Sequence, residues 1–291
     1  MSVYRHEYRA YAGRLTSPLA RVGVLTRYAY AEAWSSRITT ALSLVALLPP
    51  VVYLVAIYLA NNPVARLVIL SRKNSLISID ASFFMTVLSS QCWLALVLTA
   101  WVAPRLVSFD IGDNALPILL SHPISRFGYV AGKFIALFSF LSFITWIPSI
   151  GLFAYQAYSS PVPWAGSHLR IGMGLLAGSL VWIVVLTLLG LALSSWVKWR
   201  VVATGVIFAA IFVPAGIGGI ASAILRTKWG LLMNVPVMMT QLWQRMLGAP
   251  QIMLRDLTLP AGAIGAVLLL LCALSLAMLN ARIRAREVVR G

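Results

Sequence analysis

The residues of this chain that could do chemistry are few and scattered. His6, His122 and His168 stand in three separate connecting segments, and Cys92 and Cys272 stand in two different apolar runs. A zinc site or a disulfide framework needs clustered thiols or imidazoles, and the sequence offers neither cluster. No HExxH, CxxC or GxSxG pattern occurs. Gly128-Tyr-Val-Ala-Gly132-Lys133 looks like a phosphate loop. Its glycines are one residue too close, however, and Phe134 stands where the magnesium-binding hydroxyl must be. No catalytic residue, metal ligand or bound cofactor is therefore expected of this chain.

The elements that carry these residues explain the scarcity. Six stretches run at least 23 residues without Asp, Glu, Lys or Arg. A hydrocarbon core about 30 Å thick is crossed by roughly 20 apolar residues in a helix, so each stretch is long enough to span. The composition agrees: 60% hydrophobic and 10% charged over 291 residues, with a mean hydropathy of +0.89. The expected fold is an all-α membrane protein with spans near 38–60, 81–103, 130–157, 171–196, 201–225 and 261–281. Pro49-Pro50 is expected to kink or break the first span, and Pro148 lies inside the third. No cleavable signal is visible, so the first span is expected to direct insertion.

Three parts follow from this pattern. Residues 1–37 carry six Arg against Glu7 and Glu32. Ser17-Pro18 reads there as an N-cap and first helical position, opening an amphipathic helix suited to a headgroup surface. Residues 38–281 form the membrane domain, with a connecting segment at 104–129 and an outer loop at 226–260. Residues 282–291 are a basic tail.

The net charge of +16 sits in loops beside the spans, which points to anionic lipid headgroups and topology. No soluble region is large enough for a nucleic-acid module, so nucleic acid is not an expected partner. Fifteen cations fall on the side of the two termini and eight on the other. The positive-inside bias then places both termini in the cytosol.

Within the spans no carboxylate occurs, which argues against ion-coupled transport and against acid-dependent intramembrane catalysis. The polar groups that remain include Ser90, Gln91 and Thr99 in the second span, and Ser142 and Thr145 in the third. These form the candidate substrate path, although most such hydroxyls bond to a carbonyl one turn back. Gly174-x-x-x-Gly178, Ala215-x-x-x-Gly219 and Ala261-x-x-x-Gly265 permit close helix approach without naming partners.

Five of the nine methionines lie between Arg226 and Asp256. Thioethers can bind Cu(I). Yet Val235, Met238, Met239, Leu242 and Met246 recur at helical spacing before Gly248 and Pro250. That predicts an amphipathic helix at the outer interface, anchored by Trp229 and Trp243.

The most informative segment joins the second and third spans. It contains Asp110, Gly112, Asp113 and Asn114, then Leu116, Leu119 and Leu120 on one face of a short helix, stopped at Ser121-His122-Pro123. Ser125 can cap the helix of the third span, followed by Arg126, Gly132 and Lys133. This run resembles the signature of the type-2 ATP-binding-cassette exporter permeases, matching at Ser121, Pro123, Ser125, Arg126, Gly132 and Lys133. His122 stands where that family usually has Arg, and Asn114-Ala115-Leu116-Pro117 replaces its usual Thr-Leu-Glu-Leu.

The resemblance implies a coupling helix that docks on a separate ABC ATPase subunit, which is present in two copies and carries ATP and magnesium. It also implies a second permease copy or paralogue, and the cytoplasmic membrane of a prokaryote as the location. The absence of intramembrane charge suggests a hydrophobic or amphiphilic cargo. The alternatives from other classes are a membrane accessory protein that moves nothing and an intramembrane enzyme.

Overall fold

The computed structural model describes residues 17–62, 64, 78–112, 125–160, 164–251 and 257–287, without the side chains of residues 109, 111, 112 and 284–287. Among these residues the chain is helical, and six helices are long and apolar enough to cross a membrane. The protein is thus a multi-pass, all-helical membrane protein.

Helix α1 (Pro18–Trp34) begins as the sequence requires: Ser17 Oγ accepts the Ala20 amide over 3.3 Å and Pro18 takes the first helical position. Such a cap contributes about 1 kcal/mol. Its buried face is Leu25, Ala29 and Ala33, while Leu19 and Tyr28 are exposed.

Helix α2 (Arg37–Asn61) runs unbroken through Pro49-Pro50. Helix α3 (Ala81–Gly112) continues nine residues past the apolar stretch that ends at Ala103, through Pro104, and so carries Arg105 and Asp110 in the same continuous helix. The third span is two helices, α4 (Arg126–Ile144) and α5 (Trp146–Ser159), broken at Thr145. Pro148 explains the position, because a proline ring strikes the carbonyl four residues back, here that of Ile144. A single helical turn, Trp164–Ser167, leads into α6 (Leu169–Trp196). Helix α7 (Arg200–Leu225) is continuous through Pro214, and α9 (Ala261–Glu287) closes the chain.

The centre of the bundle is α6. Of its spanning window 72% is buried, against 22% for α2, α7 and α9, which form the periphery. Gly190 on α6 brings it against α3: a methyl group there would lie 2.8 Å from Thr99 Cγ2 and 3.1 Å from Ala103 Cβ. Ser108 Oγ donates to the Ser194 carbonyl at the same seam over 2.9 Å.

The segment 226–260 is only in part a loop. After a 3₁₀ turn (Trp229–Met233), helix α8 (Val235–Leu247) has an Asn234 cap and ends at Gly248, whose φ of 73° suits glycine. It does not rest on the surface. Met238, Met239, Gln241, Trp243, Gln244 and Leu247 are all buried, so α8 is tucked into the bundle.

Trp243 is thus a core residue at 4% exposure rather than an interface anchor, its indole N–H donating to the Gly178 carbonyl over 3.1 Å. The Gly174/Gly178 pair admits α8, since Met246, Leu247 and Trp243 fill the space where their Cβ atoms would be. Gly219 and Gly265 have nothing within 4 Å of an added methyl; on α7 the close contact falls on Gly218, against the Gly230 carbonyl. Arg170 closes the far end of α8 by donating to the Arg245 carbonyl over 2.6 Å and to the Met246 carbonyl over 3.3 Å. A cation there also complements the helix dipole.

Candidate functional site

The charged groups that the sequence leaves on either side of the 113–124 segment meet in space. Asp110 lies on the last turns of α3 and Lys133 two turns into α4. Lys133 Nζ is 2.9 Å from Asp110 Oδ2 and 3.8 Å from Glu32 Oε2 of α1. Tyr129, one turn before Lys133, donates its hydroxyl to the same Asp110 oxygen over 2.7 Å. The ammonium also lies 5.9 Å from the centre of the Tyr129 ring.

Local packing forces this meeting. Gly132 leaves room for Leu25, whose Cδ2 would be 2.9 Å from an added methyl, and Thr26 Oγ1 donates to the Gly132 carbonyl over 3.3 Å. Ser125 Oγ accepts the Gly128 amide over 3.0 Å and so fixes where α4 starts. Leu25, Tyr129 and Ile283 form a small buried cluster, which brings the end of α9 to the same place.

The electrostatics are those of a matched, largely dry joint. The Lys133 side chain is 5% exposed and Asp110 14%, whereas Glu32 is 37% exposed. A lysine so buried is sustained by paired carboxylates and would be expensive alone. Burial pushes the Glu32 carboxyl above its ordinary value. Lys133 draws it back, Asp110 raises it further, and Arg105 lowers it. No nucleophile or proton-transfer pair emerges from this arrangement. Its capacity is mechanical: it ties α1, α3 and α4 together beside the segment that links the last two.

Of the residues expected to face an ATPase, Asp110 is in the joint, Gly112 ends α3 and Arg126 starts α4. Asp113, Asn114, Leu116, Leu119, Leu120, Ser121 and His122 lie outside the described residues. Glu32 and Tyr129 were not singled out by the sequence. The available signal was Glu32 falling on the Leu25-Ala29-Ala33 stripe, where an acid on a buried face needs a cation.

The five candidate path residues are dispersed. Ser90 and Thr99 donate to the carbonyls of Val87 and Ala95 within their own helix, over 2.8 and 2.7 Å, and Thr145 at the break donates back to the Leu141 carbonyl of α4 over 2.8 Å. Gln91 and Ser142 are buried, and their side-chain polar atoms meet no hydrogen-bond partner among the described residues. None of the five lines either of two cavities bordering α3. One of these, beside Cys92, Trp93, Trp182, Pro236, Thr240 and Trp243, has about 10 Å³. That is room for a single water at most. Met238 and Met239 are fully buried among apolar neighbours. No group of three His, Cys, Asp or Glu side chains suited to a metal occurs among the described residues.

The fold and site define a multi-pass helical membrane protein, with six helices among the described residues long and apolar enough to span and an ion-paired joint between α1, α3 and α4. No family model matches the chain, and no curated protein matches it.

Proposed function

We propose that this chain is the membrane-spanning permease subunit of an ATP-driven exporter of the type-2 ABC class. It works with a second permease copy or paralogue and with two copies of an ABC ATPase subunit that carry ATP and magnesium. Its place is the cytoplasmic membrane of a prokaryote, with both termini in the cytosol, as the cation asymmetry supports.

One observation carries the reading beyond the resemblance of the 110–133 run. Asp110 and Lys133, which bracket the 113–124 segment, are locked 2.9 Å apart. A push on that segment by a closing ATPase is therefore delivered to the second and third spans together, and through Glu32 to α1. Two-state movement of a rigid group of helices is how such a push becomes alternating access.

The cargo has a large apolar part. No spanning segment places an acid or base at its centre to compensate a charged solute, at a cost of several kcal/mol. Lipids, lipid-linked molecules and apolar toxins fit this class.

The test is Leu119→Arg in the chain purified with its ATPase and reconstituted in liposomes. The variant inserts normally but loses ATPase copurification, because an unpaired guanidinium in an apolar groove costs several kcal/mol. The unmodified complex shows ATP hydrolysis stimulated by amphiphiles and indifferent to sugars, amino acids and metal ions. Normal copurification of the variant would remove the coupling role, and stimulation by hydrophilic ions alone would remove the cargo class.

A further inference from the structure

A second cavity, of about 110 Å³, opens between α3 and α7 at the same end of the bundle, lined by Trp101, Arg105, Arg200, Val201 and Thr204. Two i, i+4 pairs form its walls: Trp101 and Arg105 on α3, and Arg200 and Thr204 on α7. The seam is fixed, since Thr204 Oγ1 donates to the Ala100 carbonyl over 2.8 Å and to the Arg200 carbonyl over 3.1 Å.

Two buried N–H donors on this wall, Arg105 Nε and Trp101 Nε1, have no acceptor among the described residues. Leaving a buried donor unsatisfied is costly, and more so on a charged group. Among the described residues no carboxylate lines the pocket. Arg105 lowers the Glu32 carboxyl of α1, so that acid lies within electrostatic reach of the guanidinium although it does not line the pocket. The positive end of the α7 dipole adds to the two guanidinium groups. An anionic oxygen ligand is what such a set of donors selects.

The surroundings place this pocket at a membrane surface. Trp196 at the end of α6 is 49% exposed, and Trp199 on the turn into α7 is 76% exposed. Lys198 between them is exposed as well. Arg282 lies with its guanidinium carbon 5.3 Å from the Trp196 ring centre and donates to the Ser195 carbonyl over 3.1 Å. Exposed tryptophans and cations at the ends of apolar helices mark headgroup level, and basic pockets between spans there suit lipid phosphates.

We propose that the α3–α7 pocket binds the phosphate of an anionic lipid headgroup, with Arg105 and Arg200 pairing its oxygens and the Trp101 indole donating a further hydrogen bond. Guanidinium forks match phosphate oxygens bidentately, which an ammonium does not. The site depends only on the protein spanning a membrane and stands apart from the exporter reading. A bound lipid would staple peripheral α7 to α3, the helix that also carries Asp110.

The experiment titrates the purified full chain in neutral detergent and follows its thermal unfolding. The additives are phosphatidylglycerol, phosphatidylcholine and inorganic phosphate, each alone. Phosphatidylglycerol raises the midpoint, whereas phosphatidylcholine and inorganic phosphate do not. In Arg105→Gln/Arg200→Gln the apparent affinity for phosphatidylglycerol falls roughly tenfold or more, as expected for loss of charge-assisted hydrogen bonds. Arg200→Gln alone, at an exposed position, gives a partial loss without threatening the fold. Arg37→Gln, an exposed cation on α2, leaves the response intact. An equal rise with phosphatidylcholine, or an unchanged response in Arg200→Gln and the double variant, would overturn the site. A full effect from inorganic phosphate would overturn the lipid assignment in favour of a free anion.

Discussion

Trp243 sets the pyrrole edge of its indole into the notch left by Gly178: its Cδ1 would be 2.7 Å from a methyl group on that glycine, and its indole N–H reaches the Gly178 carbonyl over 3.1 Å. A stacked spacing of small residues, usually read as a meeting of two spans, here admits the short α8 instead. The ring is buried and cannot swing aside as a flexible side chain would.

Gly178→Ala is therefore expected to destabilise by about 1–3 kcal/mol through overpacking. Gly219→Ala and Gly265→Ala meet nothing within 4 Å. They should be neutral or stabilising by up to about 1 kcal/mol, from helix propensity. Thermal unfolding of the three variants in one detergent checks the ranking. A Gly178→Ala protein as stable as the other two would show that α8 does not dock in this notch.

Asp110→Asn removes the closer partner of a lysine whose side chain is 5% exposed, leaving Glu32 at 3.8 Å as its paired carboxylate among the described residues. Breaking a buried pair from one side costs about 3–5 kcal/mol, and the residual Glu32 contact puts the expected loss near the lower figure. The double variant Asp110→Asn/Lys133→Met should recover most of it, because no buried charge is then stranded. Equal losses in the single and double variants would assign the cost to packing instead of charge.

The Glu32 carboxyl makes the docking of α1 sensitive to pH. Burial raises its folded value above 4.5, so the docked state binds the proton more tightly than the free helix does. The associated stability is fully present below pH 4.5 and is lost as pH rises through the higher docked value. Spin labels at the exposed positions Tyr28 on α1 and Phe127 on α4 would report this as a distance distribution broader at neutral pH than in acid. Glu32→Gln should flatten that dependence. A distribution that narrows with rising pH would reverse the sign.

Orientation is testable on the two flanks of α6. Ser167 and Lys198 are exposed at its opposite ends. In a chain lacking Cys92 and Cys272, a cysteine at 167 should react with an impermeant thiol reagent from outside. One at 198 should react only after permeabilisation. External labelling at 198 would invert the topology and move the 113–124 segment away from any cytosolic partner.

That six helices would be long and apolar enough to span was legible in the sequence, because lipid imposes a length and forbids charge, and both constraints act on consecutive residues. The starts at Ser17 and Ser125 and the stop at Gly248 were legible for a similar reason: capping is settled within one turn of chain. Tertiary structure decided the rest. Pro49-Pro50 is carried inside a continuous helix, while Pro148 coincides with the break at Thr145, a choice that depends on neighbouring helices. The stripe on α8 announced a buried face but not its partner, since periodicity records burial without saying whether lipid or protein covers it. Asp110 was legible as part of a motif. Its pairing with Lys133 arises from the packing of α3 beside α4, and the arrival of Glu32, 101 positions before Lys133, from the packing of α1 on α4; no local pattern encodes either contact.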